Sequence, residues 1–166
     1  QLDASFLHEA PRKVFSSKWI QEAPNMDFIK SENYSNDLLE LLSHVNICSR
    51  ESIIREYDHE VQGNTIIKPL AGPGGDNPQD ASVIRIDGSE KYMSMSVALL
   101  PQYGITNPYN MGLSTVDECI RQMVGTGANP DKLAILDNFC MGNPNEEEEL
   151  GRLVETVKGI CDAATE

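Results

Sequence analysis

The sequence has few basic residues, few cysteines and no long apolar run, and each shortage excludes a class of protein. Its 166 residues include 13 lysines and arginines against 26 aspartates and glutamates, which gives a formal net charge of −13. Such an acidic field repels nucleic-acid phosphates and anionic membrane surfaces, so we expect neither as a partner. No apolar run approaches the roughly 18 residues that a membrane-spanning helix needs.

The four cysteines, Cys48, Cys119, Cys140 and Cys161, lie far apart in the chain and form no CxxC pair. The first residues also lack the charged-then-apolar order of a signal peptide. We therefore expect free thiols in a reducing cytoplasm, and neither a disulfide framework nor a zinc site.

The hydrophobic pattern predicts one sheet with helices on one face. The predicted elements are strands at 64–70, 82–87 and 91–100, a helix at about 113–125, a strand at 134–136 and a helix that starts in the acids 146–149. An Asp-Gly turn at 87–90 joins two of the strands as a hairpin. This order indicates an α+β fold with a mixed or antiparallel β-sheet and helices packed on one face.

Two short helices are predicted before the sheet. The first, 35–44, has Asn36 or Ser35 as its N-cap, and the second, 49–61, has Ser49. The second contains His59, whose ordinary pKa near 6.5 suits acid–base chemistry. A structural histidine is the favoured interpretation, and no nucleophile with a matched base is visible, so no catalytic residue is assigned.

Asp137 and Asn138 follow the predicted strand 134–136, where sheets of this kind collect ligands. Asp137 can bind a cation, a purine amino group or a ribose hydroxyl, and Asn138 can both donate and accept hydrogen bonds. The alternative is an Asx turn that simply completes the loop.

Glu118 and Gln122 lie four residues apart on a predicted helix, so their side chains share a face. Asp80 ends a glycine- and proline-rich loop, 71–80, just before a predicted strand. Two carboxylates and an amide oxygen are suitable ligands for Mg²⁺ if the three side chains meet. The alternatives are a solvated helix face and a plain flexible loop, since the loop has neither a P-loop nor a GxGxxG pattern.

Several stretches, taken in order, resemble a known family. They are REYDHEVQGNTIIKPL, a glycine-rich loop closing on DASVIRI, NPYNMG, and GANPDKLAILDNFCMGNP followed by an acid-led helix. Together they resemble the second AIR-synthase-like N-terminal domain of the phosphoribosylformylglycinamidine synthase family. The resemblance covers residues 49–166, and residues 1–48 resemble the connecting segment that precedes this domain.

The resemblance implies a role in purine biosynthesis. The family uses ATP, Mg²⁺ and ammonia from glutamine to convert formylglycinamide ribonucleotide into its amidine. The resemblance implies that Asp137 and Asn138 contact a nucleotide, ATP or ADP. It also implies that Asp80, Glu118 and Gln122 hold magnesium. The family often has an asparagine where this chain has Gln122.

The resemblance also implies what the chain needs from elsewhere. The family's histidine motifs, similar to SEHC and SHNHP, do not occur here, so we expect the isolated chain to be inactive. The implied partners are the other domains of the parent synthase, a glutaminase that supplies ammonia, and a second copy of this chain. The alternatives are a domain of aminoimidazole ribonucleotide synthase or selenophosphate synthetase, whose early GVD.VGTK-like loop is absent, or a non-catalytic scaffolding module.

Overall fold

A computed structural model describes residues 4, 8, 12–21, 30–56 and 60–165. The chain divides into two compact units, which are described separately. The helical unit comprises residues 1–22, 98–118 and 134–166, and the sheet unit comprises residues 23–97 and 119–133.

The described residues form helices and short strands in the following order. They are α1 (Tyr34–Ser43), α2 (Glu51–Ile54), β1 (Thr65–Ile67), β2 (Leu70–Ala71), β3 (Asn77–Pro78), β4 (Ala81–Arg85), β5 (Tyr92–Ser96), α3 (Pro101–Thr106), α4 (Pro108–Gly125) and α5 (Glu147–Thr165). Within these described stretches, no helix has the length and apolar character needed to cross a membrane.

The main sheet is antiparallel, in the order β1-β4-β5. Strands β4 and β5 form the predicted hairpin, and Ile86 N–H donates to the carbonyl of Lys91 at 3.0 Å to close it. Gly88 in the turn has a φ of 70°, which glycine adopts without steric cost. The Asp-Gly signal is therefore confirmed.

One face of the hairpin packs against the last turns of α4. Ala81 and Val83 are buried on this face, and they pair in register with Ser96 and Ser94. Ser96 Oγ donates to the carbonyl of Cys119 at 3.0 Å, and Ser94 Oγ lies 2.8 Å from the hydroxyl of Thr126. A helix thus covers one face of an antiparallel sheet, and the α+β prediction is confirmed.

The other face of β5 is exposed and apolar. Met93 and Met95 alternate with the two serines and are 46% and 49% exposed. On β1, Ile66 is 55% exposed. Strand β5 therefore has two faces of different chemistry, one hydrogen-bonded to a helix and one apolar toward solvent.

In the helical unit, α4 and α5 cross with their backbones in close contact. A Cβ built on Gly112 would lie 2.5 Å from the carbonyl oxygen of Thr156, and one on Gly159 would lie 2.1 Å from that of Tyr109. Both glycines are buried. The hydroxyl of Tyr109 donates to Asp162 at 2.8 Å beside this crossing. Only glycine allows the two helices to approach this closely.

The irregular segment 12–21 packs against the first turns of α5. Lys18 N–H donates to the carbonyl of Glu147 at 2.8 Å, and a Cβ on Gly151 would lie 2.2 Å from the carbonyl oxygen of Lys18. The guanidinium of Arg152 stacks 5.2 Å from the centre of the Trp19 ring. This segment, called the arm below, is therefore held by backbone contact and by a cation–π pair.

The predicted strand at 134–136 is wrong. Residues 133–141 form no regular secondary structure and belong to no sheet, and Leu136 is 97% exposed. A strand requires a neighbour that completes its hydrogen-bond ladder, and no other described strand pairs with this segment. Its apolar composition is that of a strand, but the pairing is absent.

Several boundaries also differ from the prediction. Helix α4 begins at Pro108, because Asn107 accepts a hydrogen bond from Asn110 N–H at 2.9 Å and proline suits a first helical position. Helix α1 is capped by Asn33, whose side chain accepts from two backbone N–H groups. Helix α2 has only four residues, and α3 is not predicted.

Candidate functional site

Asp80 is exposed and immediately precedes β4. The loop before it is not open, because β2 and β3 pair as a small antiparallel hairpin around a turn from Gly72 to Gly75. Arg55 donates to the carbonyl of Gly75 and ties α2's C-terminal end to this turn. Asp80 is thus an accessible carboxylate at the start of the most buried strand.

Glu118 and Gln122 are half-buried on α4, one turn apart on the same face. One side-chain oxygen of each residue, Oε2 of Glu118 and Oε1 of Gln122, is shielded from solvent. The helix therefore carries a shielded carboxylate oxygen and a shielded amide oxygen on one face, as the spacing predicts. Hard divalent cations bind such oxygen ligands.

Asp137 and Asn138 lie in the exposed irregular segment that follows Ile135 and Leu136. The side chain of Asp137 forms no hydrogen bond with the residues that the structure describes. The Asx turn of this region is at Asn143 instead, where Oδ1 accepts from Asn145 N–H at 3.1 Å. The loop-completing role considered for Asp137 thus belongs to a later residue.

The predicted convergence of Asp80, Glu118 and Asp137 stays a prediction. Its premise, a strand at 134–136 beside β4, is not met. Across residues 4, 8, 12–21, 30–56 and 60–165, no three Cys, His, Asp or Glu side chains are grouped to hold a metal ion. A magnesium ion at Glu118 would therefore need the Gln122 amide and phosphate oxygens among its ligands. His59 lies outside the described residues.

A further feature, a cleft between α3 and the start of α4, is not predicted from the sequence. Its volume is about 320 Å³. The local signal for it is Asn107-Pro108, an N-cap followed by a proline, which fixes where α4 begins. That signal marks a helix start but does not reveal that α3 forms an opposite wall.

Residues 78–166 match the family described as AIR synthase related protein, N-terminal domain. The match covers just over half of the chain. The chain belongs to this AIR synthase related family. Its AIR synthase related region runs from β3 to the end of the chain and includes all of the predicted site residues, which are Asp80, Glu118, Gln122, Asp137 and Asn138.

Similar curated proteins carry the name phosphoribosylformylglycinamidine synthase subunit PurL. The protein of Bartonella bacilliformis is 37% identical over 164 residues, 95% of this chain and 21% of the relative. The protein of Picrophilus torridus is 38% identical over 140 residues, which are 80% of this chain and 19% of the relative. The protein of Methanocaldococcus jannaschii is 40% identical over 137 residues, which are 80% of this chain and 17% of the relative. The AIR synthase related chain spans about a fifth of the length of these relatives.

Proposed function

We propose that the chain is a domain of a phosphoribosylformylglycinamidine synthase, the ligase of purine biosynthesis. The observation that carries this proposal is the alignment of 95% of the chain, at 37% identity, with a subunit of that name. The match to the AIR synthase related family over 78–166 supports it. In this proposal residues 1–48 form a connecting segment and residues 49–166 the domain itself.

We further propose that the domain contributes half of a Mg²⁺-nucleotide site. Glu118 and Gln122 would hold the cation with their neighbouring oxygens, and this arrangement is supported by their shared face and by the shielding of one oxygen on each. Asp80 would be the third ligand, and Asp137 and Asn138 would contact ATP or ADP. When bound, magnesium neutralises phosphate charge, which an acidic chain of net charge −13 otherwise repels.

The reaction of the whole enzyme would then be the ATP-dependent amination of formylglycinamide ribonucleotide in the cytoplasm, with ammonia from a glutaminase component. In this division of labour the chain's own residues bind and orient a nucleotide. Catalytic groups would come from the other domains.

The site predicts that nucleotide binding depends on magnesium. We expect ADP to bind the chain weakly, with a Kd of the order of millimolar, which corresponds to about −4 kcal/mol. Binding should be measured by isothermal titration with and without Mg²⁺. Glu118→Gln should remove most of the magnesium dependence because it removes the ligand charge, and Asp137→Asn should weaken binding at saturating Mg²⁺.

Asp131→Asn is the matched control, because it makes the same change at an exposed aspartate outside the proposed site. Asp80→Asn tests the third ligand and should also remove the magnesium dependence. If ADP binds equally well with and without Mg²⁺, or if Asp131→Asn weakens binding as much as Asp137→Asn, the proposed site is wrong.

We also propose that the exposed sheet face pairs with another AIR-synthase-like domain, either in the parent enzyme or in a second copy of this chain. The support is the pair of apolar side chains on β5, Met93 and Met95, each about half exposed. Contiguous exposed apolar patches mark protein interfaces. The opposite face of β5 already makes hydrogen bonds to Cys119 and Thr126, so the methionine face is the one proposed for a partner.

A further inference from the structure

The cleft between α3 and α4 lies wholly within the helical unit. It has a volume of about 320 Å³, which is at the small end of the range for small-molecule sites. Its lining consists of side chains from the last turn of α3, the intervening residue and the first turns of α4: Tyr103, Thr106, Asn107, Asn110, Leu113 and Ser114. None of these residues belongs to the nucleotide site proposed above.

The polar groups in this cleft have unused hydrogen-bonding capacity. The hydroxyl of Tyr103, the amide of Asn110 and the hydroxyl of Ser114 make no hydrogen bond to any described residue. Asn110 and Ser114 are one helical turn apart on the same face of α4. Together these groups offer donors and acceptors from two sides of the cleft.

The cleft is uncharged, and this decides which ligands suit it. Among the residues that the structure describes, no Asp, Glu, Lys, Arg or His side chain lines it. The first turn of α4 offers little to an anion, because Asn110 N–H already donates to Asn107 Oδ1 and Met111 N–H to the Asn107 carbonyl, both at 2.9 Å. A charged group placed here would find no counter-charge in the lining. The chemistry of the lining therefore suits a neutral ligand.

We propose that this cleft binds the ribose ring of a neutral sugar or nucleoside. Hydroxyl groups both donate and accept, as do the amide of Asn110 and the hydroxyls of Tyr103 and Ser114. Leu113 supplies an apolar wall for the C–H groups of the ring. The free sugar and the nucleoside share this chemistry, and the experiment below separates them.

The cleft is preformed by hydrogen bonds that hold its backbone in place. Gln21 at the end of the arm donates to the carbonyl of Thr106, and Asn107 N–H donates to the carbonyl of Tyr103 at 2.8 Å. These hydrogen bonds fix the end of α3 against the start of α4. A preformed site binds without the entropy cost of ordering its walls.

The test is an NMR titration of the ¹⁵N-labelled chain with three probes, which are ribose, adenosine and adenosine 5′-monophosphate. We expect saturable shifts of the amides between Tyr103 and Ser114 with ribose and with adenosine, with Kd values of about 1 to 10 mM. A larger affinity for adenosine identifies a nucleoside as the ligand, and equal affinities identify the sugar alone. No saturable shift, or binding of the monophosphate only, overturns the proposal.

Two variants and a control locate the site. Asn110→Ala combined with Ser114→Ala should weaken ribose binding about tenfold, since two neutral hydrogen bonds are lost. Asn36→Ala, an exposed asparagine on α1, should leave Kd unchanged. If the double variant does not fold, Tyr103→Phe replaces it, because it removes only an exposed hydroxyl. Unchanged binding in the folded variant contradicts the proposal.

Discussion

Gly159 is the position where the packing of the helical unit is most sensitive to a single added methyl group. A Cβ there would lie 2.1 Å from the carbonyl oxygen of Tyr109, 3.0 Å from its carbon and 3.2 Å from the amide nitrogen of Leu113. These are backbone atoms, which no side-chain rotation can move away. To reach an ordinary contact of 3.4 Å, α4 and α5 must separate by roughly 1 Å.

We expect Gly159→Ala to lower the free energy of unfolding by about 1–3 kcal/mol, the usual cost of overpacking a well-packed contact. This is the net expectation, even though alanine favours a helix over glycine by about 1 kcal/mol. Urea denaturation followed by circular dichroism measures the change. The midpoint should fall while the slope with urea stays the same.

Gly125→Ala is the matched control, because it makes the same substitution in a helix where a Cβ meets nothing within 4 Å. It should leave the stability unchanged or raise it slightly, since only the propensity term acts. A Gly159→Ala variant as stable as the Gly125→Ala variant would refute the close helix crossing described here.

Three other measurements test separate parts of the structure. Gly151→Ala should displace the arm from α5, since its Cβ would lie 2.2 Å from the Lys18 carbonyl oxygen. The fluorescence of Trp19, the single tryptophan, should then shift to the red, whereas Gly125→Ala should cause no such shift. The chain should form dimers that light scattering detects, and the double variant Met93→Lys with Met95→Lys should be a monomer. Ile47→Lys, which changes an exposed residue outside the sheet, should leave the dimer intact. The isolated chain should form no amidine from formylglycinamide ribonucleotide, ATP and ammonium, and turnover above background would contradict this.

The sequence predicts elements well where the local signal and the tertiary contacts agree. The β4–β5 hairpin is such a case, because an Asp-Gly turn lies between two alternating strands and its register then follows. The helix at Glu147–Thr165 is another, since acidic residues in its first turn suit the helix dipole and its apolar side recurs at helical spacing.

The sequence fails where the outcome depends on a partner that periodicity does not reveal. Ala134, Ile135 and Leu136 have strand composition, but strand formation is decided by a neighbouring ladder, which local sequence does not contain. The position at which α4 begins is predicted wrongly for a different reason. Asn107, Pro108 and Asn110 are residues typical of turns, so the helical pattern becomes visible only at about residue 113, five residues after the helix begins.

The same distinction applies to the candidate site. The spacing of Glu118 and Gln122 guarantees a shared helix face, and the structure confirms that one oxygen of each is shielded from solvent. The positions of Asp80 and Asp137 depend on how loops fold, and no sequence spacing specifies that. The cleft beside Tyr103 depends on the unpredicted helix α3, so it becomes visible only in the structure.

Helix α4 has a buried packing face and a polar face. Gly112 and Val116 are buried on one side, where Gly112 meets α5, whereas Asn110, Ser114, Glu118 and Gln122 recur every four residues on another. Four residues turn an α-helix by about 400° and advance it by about 6 Å, so this polar stripe winds slowly around the axis. From Asn110 to Gln122 the stripe rises about 18 Å and turns by about 120°. A neutral ligand in the cleft and a cation at Glu118 would therefore lie on different sides of the helix axis. One helix can thus present an uncharged surface at its start and a pair of oxygen ligands further along.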